Sequence, residues 1–250
     1  MSSGRFKANL WWSGAVAAAL VGWAAGCDDP APFDPSALDP KRGLFETSDA
    51  ITVVDLKGER LDPQVWHNTG GEATWSLQSG VIRSDGATNR PLWLMSPRLQ
   101  SHVRVEFKAR TLSEQGELRF EIFGDGEHHE SGYVLVFGAW GHMAHIIARM
   151  DEHWSDAGAT GVELTEQARS MTLKDVTVEP GRWYAMSIVR TDAELRWFVD
   201  GELLLSYLDP EPLSGVGHDH FGISSWSSSV EVTNLRVVPL QGLVYSGEDP

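Results

Sequence analysis

"LRWFVDGELLLSYLDPEPL", residues 195–213, consists of two short apolar-rich runs that meet at Asp200-Gly201 and end at Pro210 and Pro212. A two-residue hairpin turn of type I′ needs positive φ at both central positions, and Asp-Gly supplies this at little cost. Proline has no N–H to give to a ladder, so it marks where pairing stops. The stretch is therefore read as a β-hairpin. The turn chemistry accounts for Asp200, and the alternative role for its carboxylate is as a ligand to a divalent cation such as Ca2+.

Outward from this hairpin the sequence period is two. In "HVRVEFKAR" Val103, Val105, Phe107 and Ala109 alternate with charged residues, and in "GELRFEIFG" Leu118, Phe120 and Ile122 alternate with Glu117, Arg119 and Glu121. Such alternation describes strands with one buried face. "GYVLVFGAW", "HIIARM", "GRWYAMSIVR", "HFGISSW" and "SVEVTNLRVVPL" are further strands, and "ATWSLQSGVIRSDG" is a hairpin turning at Ser79-Gly80. Outside the N-terminus the only helical expectation is a short turn around Glu163–Arg169. Ten or so strands separated by Gly, Asp and Pro turns predict an all-β, antiparallel sandwich or barrel. Trp66, Trp75, Trp183 and Trp197 are assigned to its core, and Trp93 to a strand.

Trp66, the "WSLQSGVIRSDG" hairpin, "VRVEFKAR", the Trp-Phe-Val-Asp-Gly hairpin and a closing "VEVTNLRVVPL" occur in an order that resembles the concanavalin A-like (laminin G-like) jelly-roll superfamily over residues 44–240. Among its branches the chain is most similar to the bacterial 3-keto-disaccharide hydrolase-like domain. In place of that branch's Asn-Ser-Gly-containing strand it carries "GYVLVFGAWGHMAHIIARMDEHW". The resemblance implies a jelly-roll β-sandwich. It also implies one of three activities: carbohydrate or glycoconjugate binding, glycoside cleavage, or laminin G-like protein adhesion. Folds of this kind host many functions, so the site must decide between them.

The N-terminus is read as an export signal. Arg5 and Lys7 precede an apolar run from Leu10 to Ala25, and Ala24-Ala25-Gly26 leads into Cys27, the only cysteine in the chain. This resembles a bacterial lipobox, which implies cleavage before Cys27, lipidation of its sulfur and a membrane anchor in the cell envelope. Residues 27–43, acidic and proline-rich, are read as a tether, and 241–250 as a tail. The net charge of −15 excludes nucleic acid as a partner, since such binding rests on basic residues that displace phosphate counterions. Removing residues 1–26 takes away two basic and no acidic residues from 20 Lys+Arg and 35 Asp+Glu, which leaves −17.

Three constellations could carry chemistry. His218 and His220 in "GHDHF" have the spacing that places two metal ligands on one strand face, with His142 or His145 of "GHMAHI" as a third. Glu117-Leu-Arg119-Phe-Glu121 resembles the Glu-x-Asp-x-Glu strand of the laminarinase branch, but arginine stands where aspartate belongs and would keep both glutamates ionised. A cross-strand charge ladder is the reading that fits. Glycoside cleavage would then draw on Asp151, Glu152, His142 or His145. Glycan binding would draw on Trp140 and Trp154, with His142 and His145 beside them, because an indole face packs against sugar C–H groups while polar neighbours meet the hydroxyls. Trp226 is a further rim candidate.

Overall fold

The computed structural model describes residues 45–47, 52–71, 74–86, 88–151, 169–172 and 177–242. These form two antiparallel sheets packed face to face. Their strands are β1 (Phe45–Thr47), β2 (Thr52–Val53), β3 (Trp66–Asn68), β4 (Trp75–Gln78), β5 (Val81–Asp85), β6 (Leu92–Leu94), β7 (Val103–Thr111) and β8 (Leu118–Gly124). They continue as β9 (Tyr133–Gly138), β10 (Ala144–Arg149), β11 (Arg169–Thr172), β12 (Tyr184–Thr191), β13 (Glu194–Val199), β14 (Glu202–Leu208), β15 (His220–Ser224) and β16 (Ser229–Gly242). One sheet runs β14-β13-β12-β7-β16-β5-β4, with β1 and β2 added along β16; the other runs β11-β10-β9-β8-β15-β6-β3. After β7 the chain crosses to the second sheet for β8–β11, returns for β12–β14, crosses again for β15 and closes the first sheet with β16. This is a jelly-roll β-sandwich.

The opening hairpin forms as its sequence requires. Val199 pairs with Glu202 across a two-residue turn in which Asp200 and Gly201 have φ of 51° and 84°. Gln78 pairs with Val81 across Ser79-Gly80 in the same way, with φ of 51° and 79°. The inward-facing sets meet between the sheets: Phe107 of β7 packs edge-on against Phe120 of β8 at 4.6 Å, and Phe221 of β15 completes the cluster. Trp66, Trp75 and Trp197 lie in this core. Trp183 does not: it is half-buried at the surface with the Arg110 guanidinium 4.5 Å above its ring. Its neighbour Tyr184 takes the inward position, because a strand can turn only alternate residues to the core.

The outward face of β8 also departs from the alternation. Leu118, Phe120 and Ile122 point into the core as predicted, yet Glu117, Arg119 and Glu121 are buried as well, with Glu121 fully so. The outer face of the second sheet is therefore covered. Residues 125–131, between β8 and β9, fold back over it. Arg169, the end of the expected helical turn, instead begins β11, and residues 163–168 lie outside the described residues. Among the described residues no helix is long and apolar enough to cross a membrane.

Candidate functional site

Cross-strand register places five residues in one row on the outer face of the second sheet: His67 opposite Trp93, Trp93 opposite Gly222, Gly222 opposite Glu121 and Glu121 opposite Val134. In the neighbouring row Ser224 stands opposite Arg119, and Arg119 opposite Val136. Arg119 and Glu121 are two residues apart on one strand face, hence about 7 Å apart along it.

Each glutamate of the Glu-x-Arg-x-Glu segment has its own basic partner. Nε and Nη2 of Arg119 both donate to Oε1 of Glu117, at 3.0 and 2.7 Å. Glu121 accepts from Nδ1 of His129 at 2.6 Å and from the Glu130 backbone N–H at 2.8 Å. Burial opposes a charge on His129, but the hydrogen bond and charge of Glu121, aided by Glu130, outweigh it and raise the ring's pKa. The sequence comparison picks out the two glutamates, but not the histidine eight positions on that the hairpin folds back over one of them.

At the end of the sandwich where β8 begins, four loops are tied together. Nε2 of His142 donates to the Gly116 carbonyl at 3.2 Å, and the Glu117 N–H donates to the Ser228 hydroxyl at 3.2 Å. The Ser228 hydroxyl donates to the Trp226 carbonyl at 3.1 Å, and the Asn89 N–H to the Ser225 carbonyl at 3.1 Å. Trp140 and Trp226, which come from two of these loops, are 42% and 48% exposed. The Arg119 guanidinium lies 6.0 Å from the Trp226 ring. Trp140 is held outward by an unusual backbone: Gly138, Trp140, Gly141 and His142 all have positive φ, between 54° and 84°, in the turn that joins β9 to β10. Left-handed conformations at two bulky residues store strain, which the His142–Gly116 bond helps to hold.

The other expected site residues lie elsewhere. His145 follows on β10 but faces inward, stacked on Phe137 at 4.6 Å and 1% exposed. Its Nδ1 accepts the Gly138 N–H at 3.1 Å, and burial followed by the neighbouring His142 lowers its pKa to about 4. Asp151 is half-buried just beyond β10, while Glu152, Trp154 and Cys27 lie outside the described residues. His218 and His220 do not share a strand. The β15 strand starts at His220, and His218 sits in the preceding turn with Nδ1 donating to the Phe123 carbonyl at 3.1 Å. Nε2 of His220 accepts from Arg98 at 2.8 Å, which leaves Nδ1 to donate to the Leu94 carbonyl at 2.9 Å. Asp200 lines a cleft of about 320 Å³ with Phe137, Arg182, Tyr184 and Leu204. Its oxygens accept from the Ala185 N–H at 2.8 Å and from Arg182 at 2.9 Å. Among the described residues no group of three or more His, Cys, Asp or Glu could hold a metal ion.

No family model matches the chain, and no curated protein matches it. Its architecture is shared with solved structures of low sequence identity. An endo-acting O-glycanase of a human gut microbiota member aligns with a TM-score of 0.54 at 15% identity, over 76% of this chain and 99% of that one. The laminarinase from Rhodothermus marinus aligns with a TM-score of 0.51 at 14% identity, over 80% of this chain and 99% of that one. The carbohydrate-binding module CBM66 from Bacillus subtilis gives 0.51 at 12% identity, over 69% and 95%. The likeness agrees with the strand order in establishing the scaffold: this chain is an antiparallel jelly-roll β-sandwich.

Proposed function

We propose that the protein binds carbohydrate or glycoconjugate at the cell envelope, held there by a lipid on Cys27. The observation that carries the binding reading is the pair of exposed tryptophans, Trp140 and Trp226, at the end of the sandwich where the buried Arg119–Glu117 pair sits. Indole faces offer apolar contact to the C–H surface of a sugar ring, and the loop carbonyls and the guanidinium offer partners for its hydroxyls. Structural neighbours on this scaffold include a carbohydrate-binding module and a laminarinase, which accords with a glycan ligand. Binding is favoured over glycoside cleavage because hydrolysis needs one carboxyl poised as an acid and a second as base or nucleophile. In Glu-x-Arg-x-Glu both glutamates are instead bonded to basic side chains.

The test is a glycan array probed with the purified chain, with release of reducing sugar or keto-sugar followed in parallel. Binding without turnover is expected, and Trp226→Ala should weaken the best ligand about tenfold, the effect of removing roughly 1.4 kcal/mol of contact. Turnover of a bound glycan overturns the binding-only reading in favour of an enzyme of the 3-keto-disaccharide hydrolase-like kind. No glycan retained, with a protein partner captured through the same tryptophans, overturns it in favour of adhesion.

A further inference from the structure

Further along the same outer face, Trp93 is an aromatic platform with a roof on it. Its ring is fully buried although it points away from the core between the sheets. Two glycines make the floor: a Cβ at Gly222 would stand 2.8 Å from Cε3 and Cζ3 of the indole, and one at Gly124 would run into Cη2. The ring thus lies across the strands. Among the described residues its Nε1–H has no hydrogen-bond partner, although leaving a buried donor unpaired costs stability. Next to it in the row, beyond Gly222, is the fully buried carboxylate of Glu121.

The covering loop, Asp125-Gly-Glu-His-His-Glu-Ser131, contains no apolar side chain, so hydrophobic burial does not fix it in place. Polar latches do. His129 and the Glu130 N–H close on Glu121, and Nδ1 of His67 donates to the Gly126 carbonyl at 2.8 Å. Within the loop the Asp125 carboxylate accepts from the Glu127 and His128 N–H groups and from the His128 ring. Gly126 rests on the His220 ring, where a Cβ would stand 2.7 Å from Cδ2. Phe123 and Glu130, at the two roots of the loop, have φ of 59° and 60°. A segment held by hydrogen bonds and histidine–carboxylate pairs, without an apolar side chain of its own, and pivoting on strained residues belongs to the low-stability end of a fold.

We infer that residues 125–131 are a lid over a second saccharide subsite, floored by Trp93 and walled by Glu121. When the lid lifts, the indole face and the idle Nε1–H come into reach. Glu121 is at the same time freed of both its partners and becomes an acceptor for a sugar hydroxyl. The ligand class is a neutral hydroxylated ring, able to stack, to accept from the indole N–H and to donate to the carboxylate. The subsite extends the tryptophan-rimmed end of the sheet along one face, and it rests on the glycan-binding reading of that end.

The experiment uses the full chain labelled with 5-fluorotryptophan, with the Trp93 resonance assigned by its loss in Trp93→Phe. Wild type and His129→Gln are compared for solvent exposure of that resonance and for binding to an oligosaccharide array. The expected result is that His129→Gln exposes Trp93 and raises array binding at least severalfold, that the bound oligosaccharide shifts the Trp93 resonance, and that Trp93→Phe loses the gain. A Trp93 resonance unmoved by any array-positive oligosaccharide, with binding that depends on Trp226, overturns the subsite and leaves the end-patch reading intact. Binding that shifts Trp93 but is unaffected by Trp226→Ala does the reverse. No binding by either protein overturns both.

Discussion

The His145 ring is buried and stacks on Phe137, which itself packs edge-on against Tyr184, and this determines what it does for the protein. A neutral ring suits the site, since Nδ1 must be free of its proton to accept the Gly138 N–H. Burial, with His142 adding to it, lowers its pKa from the usual 6.5 to about 4. The unfolded chain therefore binds a proton that the folded chain refuses between those values. Stability from this residue is complete above pH 6.5 and is lost as pH falls toward 4, by an amount on the order of 3 kcal/mol. The melting temperature is expected to drop across that window, and His145→Gln is expected to flatten the drop while lowering the melting temperature at pH 7. An equally steep acid transition in the variant would assign the effect to other groups. Trp140 makes the contrasting case five residues earlier, in the turn that leads into β10: a left-handed turn holds it out, and the same sequence neighbourhood thus yields one core residue and one rim residue.

At the scale of elements, alternation and turn chemistry were enough to read most strands and both two-residue hairpins. Val103, Val105, Phe107 and Ala109 could be assigned to the core from "HVRVEFKAR" alone, and Asp200-Gly201 could be assigned to a turn. The outer face was not legible in this way. Glu117, Arg119 and Glu121 read as solvated because period two separates faces without saying whether a distant loop covers one. The candidate site draws Trp140, Trp226 and Asn89 from separate loops and Arg119 from β8, and only the jelly-roll crossovers bring those together. The lid carries a prediction of its own. The groups that face His129 are Glu121 and Arg119 of β8 and Glu130 beside it, and their balance raises its pKa. The charged form strengthens the bond to Glu121, so the latch is strongest below the usual histidine pKa and weakens as pH rises through the raised value. Exchange of the Glu130 N–H, corrected for the intrinsic base-catalysed rate, should accelerate as pH is taken from 6 to 9, and His129→Gln should remove that pH dependence. A corrected rate that stays level in the wild type would mean that the lid is held by something other than this pair.

Considered whole, the molecule is a sandwich with one chemically distinctive sheet face and a strongly acidic character. The first 26 residues and Cys27 lie outside the described residues. A charge of −17 on the chain after Gly26 gives no electrostatic reason to approach a membrane surface, because anionic headgroups repel it. In the proposed anchor, acyl chains supply the attachment, each contributing about 0.8 kcal/mol per buried CH2. One chain gives only marginal attachment and several give durable attachment. Cys27→Ser removes the thiol that would take the lipid and leaves the described fold untouched, since the sandwich begins after it. On fractionation of cells the wild type is expected with membranes and the variant in the soluble fraction, with high salt failing to release the wild type. Retention of the variant on membranes would show that attachment does not pass through Cys27.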